Sequence, residues 1–207
     1  MNLTGIRNIL FDLGGVLLDI DYNRTEQAFR DLGFEDFEKM YGQFRADALF
    51  EKLETGHITP EDFCEKLKGR APEGVTESQL IGAWDAMLLD FRRTSLEYLK
   101  TLSKKYQIYL LSNTNEIHIA ALRSMFAEQV GPGWLDDYFH KAYYSCAIGQ
   151  RKPHRESYEF VLADAGLKAE ETLFIDDSYN NLETAATLNL RTHLMLPEER
   201  IETLIKE

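Results

Sequence analysis

The sequence has little of several features that would assign a protein to a class at once. Among 207 residues it has two cysteines, Cys64 and Cys146, too few for a disulfide framework and in keeping with a reducing compartment. No apolar run is long enough to cross a bilayer. Residues 1–20 begin with a strand-like segment and lack the pattern of a signal peptide. We therefore expect a cytoplasmic protein without a membrane partner.

Positive charge is also scarce. Lys and Arg number 23 against 35 Asp and Glu, which gives a formal net charge of −12. Because nucleic acids bind to basic surfaces, this balance argues against a nucleic-acid partner. An anionic small molecule is still compatible with it, since a metal ion and one lysine can make a locally positive pocket.

Residues 23–91 lack a strong strand pattern and contain several helix signals. Thr59 is a preferred N-cap, and Pro60 stands at the first helical position after it. Thr76 and Gln79 have the spacing of a capping box. The helix that follows carries four large apolar residues: Leu80, Trp84, Met87 and Leu88. We therefore predict a small helical domain in this part of the chain.

Outside this block the sequence alternates between strand and helix patterns. Apolar segments predict strands at residues 6–11, 108–111, 142–145, 173–175 and 192–196. Helices are predicted at residues 95–104, 116–126, 153–165, 179–188 and 198–205. Because this alternation is typical of βαβ units, it predicts an α/β fold with a parallel sheet covered by helices on both faces.

Four short polar clusters occur along the chain, each placed just past an apolar segment. They are Asp12-Leu13-Gly14-Gly15-Val16, Ser112-Asn113-Thr114-Asn115, Lys152-Pro153 and Asp176-Asp177. Ligands of open α/β sheets bind at the carboxyl ends of the strands, so we expect these clusters at one edge of the sheet. Taken singly, each cluster has a plain explanation as a turn, a helix N-cap or a solvated charge. Their order and common position favour a functional site.

The residue types in these clusters fit phosphoryl transfer. A carboxylate such as Asp12 can attack phosphorus, and the glycines after it leave backbone N–H groups accessible. Ser112 and Asn113 can donate hydrogen bonds to phosphoryl oxygens, and Lys152 can neutralise their charge. The two adjacent carboxylates of the last cluster repel each other. A Mg²⁺ ion would relieve that repulsion and bridge to the phosphate.

In these motifs and their order, the chain resembles the haloacid dehalogenase superfamily of hydrolases over nearly its whole length. The family architecture is a Rossmann-like parallel-sheet core with an α-helical cap inserted after the first strand. This resemblance implies a core of residues 1–18 and 93–207 and a cap of residues 19–92. The segments Asp19–Arg24, Ser112–Asn115 and Gly149–Pro153 are most similar to a bacterial branch that includes α-D-glucose-1-phosphate phosphatases.

The resemblance implies a Mg²⁺-dependent phosphomonoesterase that acts on a small phosphorylated metabolite of the sugar-phosphate type. Asp12 would be the nucleophile and would form an aspartyl-phosphate. The phosphoryl-binding residues would be Ser112, Asn113 and Lys152. The metal ligands would be Asp12, the Gly14 carbonyl and one or both of Asp176 and Asp177, with Asn181 completing the fourth motif.

One position departs from the family pattern. Family phosphatases usually carry a second aspartate two residues after the nucleophile, where it protonates the leaving group and later activates water. This chain has Gly14 at that position. Three consequences are open: a leaving group that needs little protonation, a proton from Asp19, Asp21 or His57, or weak activity.

Three alternatives compete with a phosphatase. A metal-independent 2-haloacid dehalogenase also lacks the second acid, but the acid pair Asp176-Asp177 would repel an anionic substrate unless a cation were bound. A signalling receiver domain carries its acid pair before the phosphorylated aspartate, which is the opposite order. The third alternative is a weakly active binding or regulatory protein, which Gly14 would explain.

Overall fold

The computed structural model describes residues 1, 3–42 and 45–205 of the chain. The strands of these residues are β1 (Asn8–Phe11), β2 (Leu18–Ile20), β3 (Tyr41–Gly42), β4 (Arg45–Ala46), β5 (Leu88–Phe91), β6 (Gln107–Ser112), β7 (Lys141–Tyr144), β8 (Thr172–Asp176) and β9 (Arg191–Leu194). Five strands form one sheet in the order β7-β6-β1-β8-β9, and each of these pairings is parallel. The predicted α/β fold with a parallel sheet is confirmed.

Helices separate the five strands of this sheet along the chain. They are α1 (Tyr22–Asp31), α2 (Phe37–Met40), α3 (Ala48–Glu54), α4 (Pro60–Lys68), α5 (Glu77–Asp85), α6 (Arg93–Leu102), α7 (Glu116–Gln129), α8 (Ser145–Ile148), α9 (Arg155–Asp164), α10 (Tyr179–Thr187) and α11 (Ile201–Leu204). Two 3-10 helices, Leu135–Tyr138 and Ala169–Glu171, lie among them. Within the described ranges, no helix combines the length and the apolar character that crossing a bilayer requires.

The register of the sheet explains why its polar residues meet. Phe11, at the end of β1, pairs with Ile175 of β8. Asp12 and Asp176 follow these two residues, and the Asp12 N–H donates a hydrogen bond to the Ile175 carbonyl at 2.9 Å. Ser112 ends β6 on the other side of β1. Three of the four polar clusters therefore begin at neighbouring strand ends on one edge of the sheet.

The central strand β1 is buried on both faces of the sheet. Ile9 and Phe11 belong to an apolar cluster with residues of α6, α7 and α11, whereas Leu10 belongs to a cluster with residues of α9 and α10. Successive side chains of a strand point to opposite faces, so the unbroken apolar run of β1 supplies both layers. Each fully buried side chain of this kind stabilises the fold by roughly 1.5–3 kcal/mol.

Helices α1–α5 pack around an apolar cluster of their own. Its centre is aromatic, with Phe29 stacked on Phe37 at a ring distance of 4.0 Å and Phe50 at 5.0 Å from Trp84. Strands β2 and β5 stand at the two ends of this helical block in the sequence, and they pair with each other in antiparallel fashion. Both chain segments that connect the block to the sheet therefore run side by side.

The end of α5 differs from the sequence prediction. The helix ends at Asp85, and Leu88, which the apolar spacing assigns to the helix, is the first residue of β5. There it pairs with Ile20 of β2. A strand partner from a distant part of the sequence thus overrides the helical periodicity, which a local pattern cannot reveal.

The start of α9 also differs from the prediction. The sequence places Pro153 at the first position of this helix, but α9 begins at Arg155. The Lys152–Pro153 peptide bond is cis, and a turn closed by a 3.0 Å hydrogen bond from the His154 N–H to the Arg151 carbonyl precedes the helix. Pro153 therefore belongs to the loop that carries Lys152.

Candidate active site

Asp12 lies at the end of β1, 8% exposed, and is followed by a tight glycine turn. Gly15 has a φ of +67°, a backbone conformation that residues other than glycine rarely adopt. A Cβ atom built on Gly15 would lie within van der Waals overlap of the Asp177 carboxylate. The glycine therefore serves two purposes, the turn and the close approach of the Asp177 side chain to the loop after Asp12.

Lys152 lies between two carboxylates. Its Nζ atom is 2.7 Å from Asp12 Oδ1 and 2.7 Å from Asp176 Oδ2, and its side chain is 1% exposed. Burial alone would lower the pKa of Lys152, but the charges of Asp12 and Asp176 raise it above its ordinary value. The ammonium group is therefore fixed in its charged form beside Asp12.

The two adjacent acids have different surroundings. Asp176 is fully buried, and its carboxylate accepts hydrogen bonds from Lys152 Nζ, from Asn181 Nδ2 at 2.9 Å and from the Ser178 N–H at 2.8 Å. Asp177 is half-buried and lines the same cavity as Asp12. Asp176 thus binds the Lys152 ammonium group, whereas Asp177 lines the cavity.

Burial and mutual repulsion act on the acids that line the cavity. Burial raises the pKa of Asp12 to about 8, and the charges of Asp176 and Asp177 add to this effect while Lys152 opposes it. Burial and the charge of Asp176 likewise raise the pKa of Asp177 to about 6. One lysine therefore compensates only part of the negative charge of the three acids.

These three acids form a suitable donor set for a hard divalent cation. One oxygen atom from each of Asp12, Asp176 and Asp177 lies within 4.8 Å of the others. Carboxylate oxygens are the ligands that Mg²⁺ prefers, and a cation would offset the repulsion that adds to burial in raising the pKa values of Asp12 and Asp177. The backbone of Gly14 lines the same cavity. The residues present therefore fit a Mg²⁺ site.

Ser112 and Asn113 have different positions in the site. Ser112 is buried at the end of β6 and lines the cavity. The Asn113 side chain accepts a hydrogen bond from the Lys152 N–H and donates one to the Lys152 carbonyl, each at 2.8 Å. Both ends of the Asn113 amide are thus engaged with the backbone of Lys152. These contacts support the lysine loop. Asn113 also lines the cavity, so its role in binding the phosphoryl group stays a prediction.

The cavity that these residues line has a volume of about 120 Å³, and the helical block contributes to its wall. Tyr22, Tyr41 and Glu54 of that block line it, together with Arg151 from the lysine loop. Reasoning from the sequence missed this wall. Arg151 stands next to Lys152 in the sequence and could have been noticed there, but no motif marks Glu54 or Tyr41.

A sequence model of the family described as haloacid dehalogenase-like hydrolase matches residues 6–189 of the chain. The chain belongs to this family. The match covers four of the five strands of the sheet, the helical block and all four polar clusters, so the predicted superfamily is confirmed. The protein is accordingly a hydrolase.

Curated relatives of this hydrolase include phosphatases. A D-ribitol-5-phosphate phosphatase from Bacteroides thetaiotaomicron is 33% identical over 188 residues, which cover 90% of each chain. A sesquiterpene phosphatase from Aspergillus oryzae is 29% identical over 196 residues and covers 90% of this chain and 88% of its own. The two names show that phosphatases similar to this hydrolase act on substrates with very different leaving groups.

Solved structures of the family share the fold. A Bacteroides thetaiotaomicron enzyme, an aspartate-to-alanine variant in complex with magnesium and inorganic phosphate, superposes with a TM-score of 0.89 and is 34% identical over 98% of this chain and 100% of its own. Its magnesium complex gives a TM-score of 0.88 at 35% identity, with the same coverage. An L-2-haloacid dehalogenase from Xanthobacter autotrophicus, 18% identical with a TM-score of 0.58 over 90% of this chain and 76% of its own, shares the fold alone.

The side chain of Ile20 lies beside the glycine at position 14. A Cβ atom built on Gly14 would lie 2.7 Å from Ile20 Cδ1, the far end of that side chain, so a larger residue here would require the Ile20 side chain to shift. An aspartate at position 14 would have to displace Ile20. The position where family phosphatases usually carry an acid is therefore filled by an apolar group.

The three residues considered as replacements for this acid each have another partner, and Asp19 and Asp21 line a separate cavity beside Asp177. Asp19 forms a 2.7 Å ion pair with Arg92, and Asp21 accepts a hydrogen bond from the Asn23 N–H at the start of α1. His57 contacts the Thr55 hydroxyl at 2.7 Å. None of the three lines the cavity that the described residues form around Asp12.

Proposed function

We propose that this hydrolase is a Mg²⁺-dependent phosphomonoesterase that acts through Asp12 on a small phosphorylated metabolite of the sugar-phosphate class. The observation that carries the proposal is the position of Lys152 Nζ, 2.7 Å from Asp12 Oδ1, in a buried cavity that Asp177 also lines. A nucleophilic carboxylate, a fixed positive charge and a site for a cation are the groups that phosphoryl transfer requires. The D-ribitol-5-phosphate phosphatase among the relatives supports a sugar-phosphate substrate.

The reaction divides into two displacements at phosphorus. An Asp12 carboxylate oxygen attacks the phosphorus atom, the bond from phosphorus to the leaving oxygen breaks, and that oxygen takes up a proton from solvent. Water then attacks the phosphorus of the aspartyl-phosphate, which releases inorganic phosphate and restores Asp12. Lys152 stabilises the negative charge of the phosphoryl oxygens in both steps, and Ser112 donates a hydrogen bond to one of them.

The different surroundings of Asp176 and Asp177 indicate different roles for the two acids. We infer that Asp12, the Gly14 carbonyl and Asp177 ligate Mg²⁺ directly, because Asp177 lines the cavity. Asp176 supports the site from behind through its 2.7 Å contact with Lys152. A bound Mg²⁺ would supply positive charge that neutralises the phosphoryl oxygens.

The distribution of apolar clusters supports a division into a core of residues 1–18 and 93–207 and a cap of residues 19–92. One large cluster belongs almost entirely to α1–α5, and the others belong to the sheet and its covering helices. We propose that this cap closes over the substrate during the reaction and excludes water from the phosphoryl site. Two free thiols, Cys64 and Cys146, support a cytoplasmic location.

Phosphate release from a panel of phosphorylated metabolites tests the function. We expect release with Mg²⁺, none with EDTA, and a loss of at least about 10³-fold in Asp12→Asn, which keeps the size of the side chain but removes the nucleophile. Asp31→Asn, at an exposed position of α1, is the matched control and should retain activity. No release from any phosphate ester, together with halide release from 2-haloacids, would replace the proposal with a dehalogenase.

A further inference from the structure

The chain returns from the helical block to the core at a buried arginine that the reaction above does not use. Arg92 lies between β5 and α6, and only 6% of its side chain is exposed. Arginine is almost never buried to this extent unless its charge is paired. The position of Arg92 therefore requires an explanation.

The contacts of Arg92 go to the segment that follows Asp12. The Arg92 N–H donates a hydrogen bond to the Leu17 carbonyl at 2.9 Å, and its Nη1 donates to the Val16 carbonyl at 3.2 Å. Its Nε donates a hydrogen bond to Asp19 Oδ1 at 2.7 Å, within an ion pair. One residue thus holds three positions of this segment, two through backbone carbonyls and one through a carboxylate.

The glycine turn, residues 13–18, is closed by its own backbone hydrogen bonds. The N–H groups of Leu17 and Leu18 both donate to the Leu13 carbonyl, at 2.8 and 2.9 Å. The backbone of Gly14, inside this turn, lines the active-site cavity. Because the hydrogen bonds join the turn into one unit, a contact that holds one end of it also restrains Gly14.

Arg92 also lies near a second proposed ligand of the metal. Arg92 and Asp177 line one cavity. Burial and the charge of Asp176 raise the pKa of Asp177 to about 6, and the charge of Arg92 opposes this rise. A Cβ atom on Gly15 would overlap the Asp177 carboxylate, so the glycine turn and this acid are in close contact. A displaced turn would therefore disturb Asp177 together with the Gly14 carbonyl.

The arginine stands at the boundary between the cap and the core. In the division proposed above, Asp19 and Arg92 are the first and last residues of the cap, so their ion pair joins the two ends of that domain. The residues beside them, Leu18 of β2 and Phe91 of β5, pair in the antiparallel ladder. The linkers of the cap and the turn that carries Gly14 are thus fastened together at Arg92.

We propose that Arg92 is a positioning residue of the Mg²⁺ site: it holds the glycine turn and so keeps the Gly14 carbonyl in place as a ligand. Through the contact of this turn with Asp177, it steadies that ligand as well. A guanidinium group suits the task because it is planar, always charged and able to donate several hydrogen bonds in fixed directions. This role rests on the proposed phosphatase function and its Mg²⁺ site.

The test combines Mg²⁺ affinity from calorimetric titration with steady-state kinetics and urea denaturation. Arg92→Met keeps the length of the side chain and removes its donors. Arg92→Lys keeps the charge, and with it the pairing with Asp19, but lacks the fork of donors. Gln129→Leu is the matched control, because Gln129 binds the same linker through the Phe91 N–H at 2.8 Å and the Asp90 carboxylate at 3.0 Å. These two contacts lie outside the glycine turn.

We expect Arg92→Met to weaken Mg²⁺ binding by about 10- to 100-fold, the usual effect of removing a group that orients metal ligands. Its kcat should recover toward the wild-type value as Mg²⁺ is raised, because excess cation fills the weakened site. Arg92→Lys should have an Mg²⁺ affinity between those of Arg92→Met and wild type. Gln129→Leu should lose stability but bind Mg²⁺ as wild type does.

Each other outcome has a distinct meaning. Equal Mg²⁺ affinity in wild type and Arg92→Met would overturn the proposal: with kcat also unchanged Arg92 would be a structural residue of the linker, and with kcat lowered it would act on cap closure. If Arg92→Met does not fold, Arg92→Lys against Gln129→Leu decides the same question. Wild type that binds Mg²⁺ but releases phosphate from no ester would refute the phosphatase function alone, whereas wild type that binds no Mg²⁺ would refute both.

Discussion

At the scale of the residue, the loop after Asp12 lies very close to the side chain of Asp177. A Cβ atom at position 15 would overlap the Asp177 carboxylate. The position of Asp177 is therefore coupled to the absence of a side chain at Gly15. Metal affinity depends on such placement of ligands, because groups that position ligands typically change affinity 10- to 100-fold.

This coupling predicts the effect of Gly15→Ala. The substitution must push the Asp177 carboxylate away, so we expect Mg²⁺ to bind about 10-fold or more weakly, as measured by calorimetric titration. The positive φ of +67° adds a loss of roughly 1–2 kcal/mol in the free energy of unfolding.

Gly166→Ala is the matched control for this prediction. Gly166 has a φ of +63°, and a Cβ atom built on it would meet no heavy atom within 4 Å. It should lose similar stability and bind Mg²⁺ as wild type does. Equal Mg²⁺ affinity in the two variants would refute the role assigned to the contact between Gly15 and Asp177.

At the scale of the element, helix starts were the most predictable features of the helical block. Thr76 caps α5: its Oγ1 accepts a hydrogen bond from the Gln79 N–H at 3.3 Å, and the Thr76 N–H donates to Gln79 Oε1 at 2.9 Å. Thr59 likewise caps α4, with Pro60 as its first residue. These contacts join residues three positions apart, so their spacing in the sequence is sufficient to predict them.

We expect the capping contacts of α5 to contribute measurably to the free energy of unfolding. Thr76→Ala removes the side-chain acceptor, and we expect the free energy of unfolding to fall by about 1 kcal/mol in urea denaturation. Thr187→Ala, which removes an exposed hydroxyl that donates to the Thr184 carbonyl at the end of α10, should change stability by less than about 0.5 kcal/mol. The assignment of Thr76 as a stabilising cap would not survive equal losses in the two variants.

At the scale of the whole molecule, the sheet side of the site was predictable and the cap side was not. Asp12, Ser112 and Asp176 each follow or end an apolar strand, and parallel strands bring such ends to one edge. Glu54 meets Arg151 only because α3 packs over the lysine loop, a contact between distant parts of the sequence. Neither residue type nor local spacing reports such packing, which explains why Glu54 and Arg151 were missed as residues that line the cavity.

A second contact between the helical block and the core makes the stability of the whole molecule depend on pH. His118 of α7 is 6% exposed, stacks on Trp84 of α5 with ring centroids 4.6 Å apart, and places Nε2 3.2 Å from the Trp84 carbonyl. Burial lowers the pKa of His118 from 6.5 to about 4. Since the carbonyl accepts, Nε2 carries the proton of the neutral ring, and protonation would charge a buried ring.

The sign of the pH dependence follows from this lowered pKa. Below pH 6.5 the unfolded chain binds a proton at His118 that the folded chain binds only near pH 4, so stability decreases as the pH falls through this window. At 1.36 kcal/mol per pH unit, the full effect is on the order of 3 kcal/mol. Burial raises the pKa of the neighbouring Asp85 to about 7, which acts in the opposite direction because that stability is lost as the pH rises from 3.8 through 7.

Comparison of wild type with His118→Gln isolates the histidine, because Asp85 is present in both proteins. The glutamine amide can still donate to the Trp84 carbonyl but does not titrate, so we expect the variant to be less stable at pH 7.5 and to lose less stability between pH 6.5 and 4. Urea denaturation at half-unit pH steps measures the two curves. They should converge toward pH 4, since the advantage of neutral His118 is fully present only above pH 6.5. Parallel curves over the whole range would mean that His118 titrates equally in the folded and unfolded chains, and that acid does not act through this junction of cap and core.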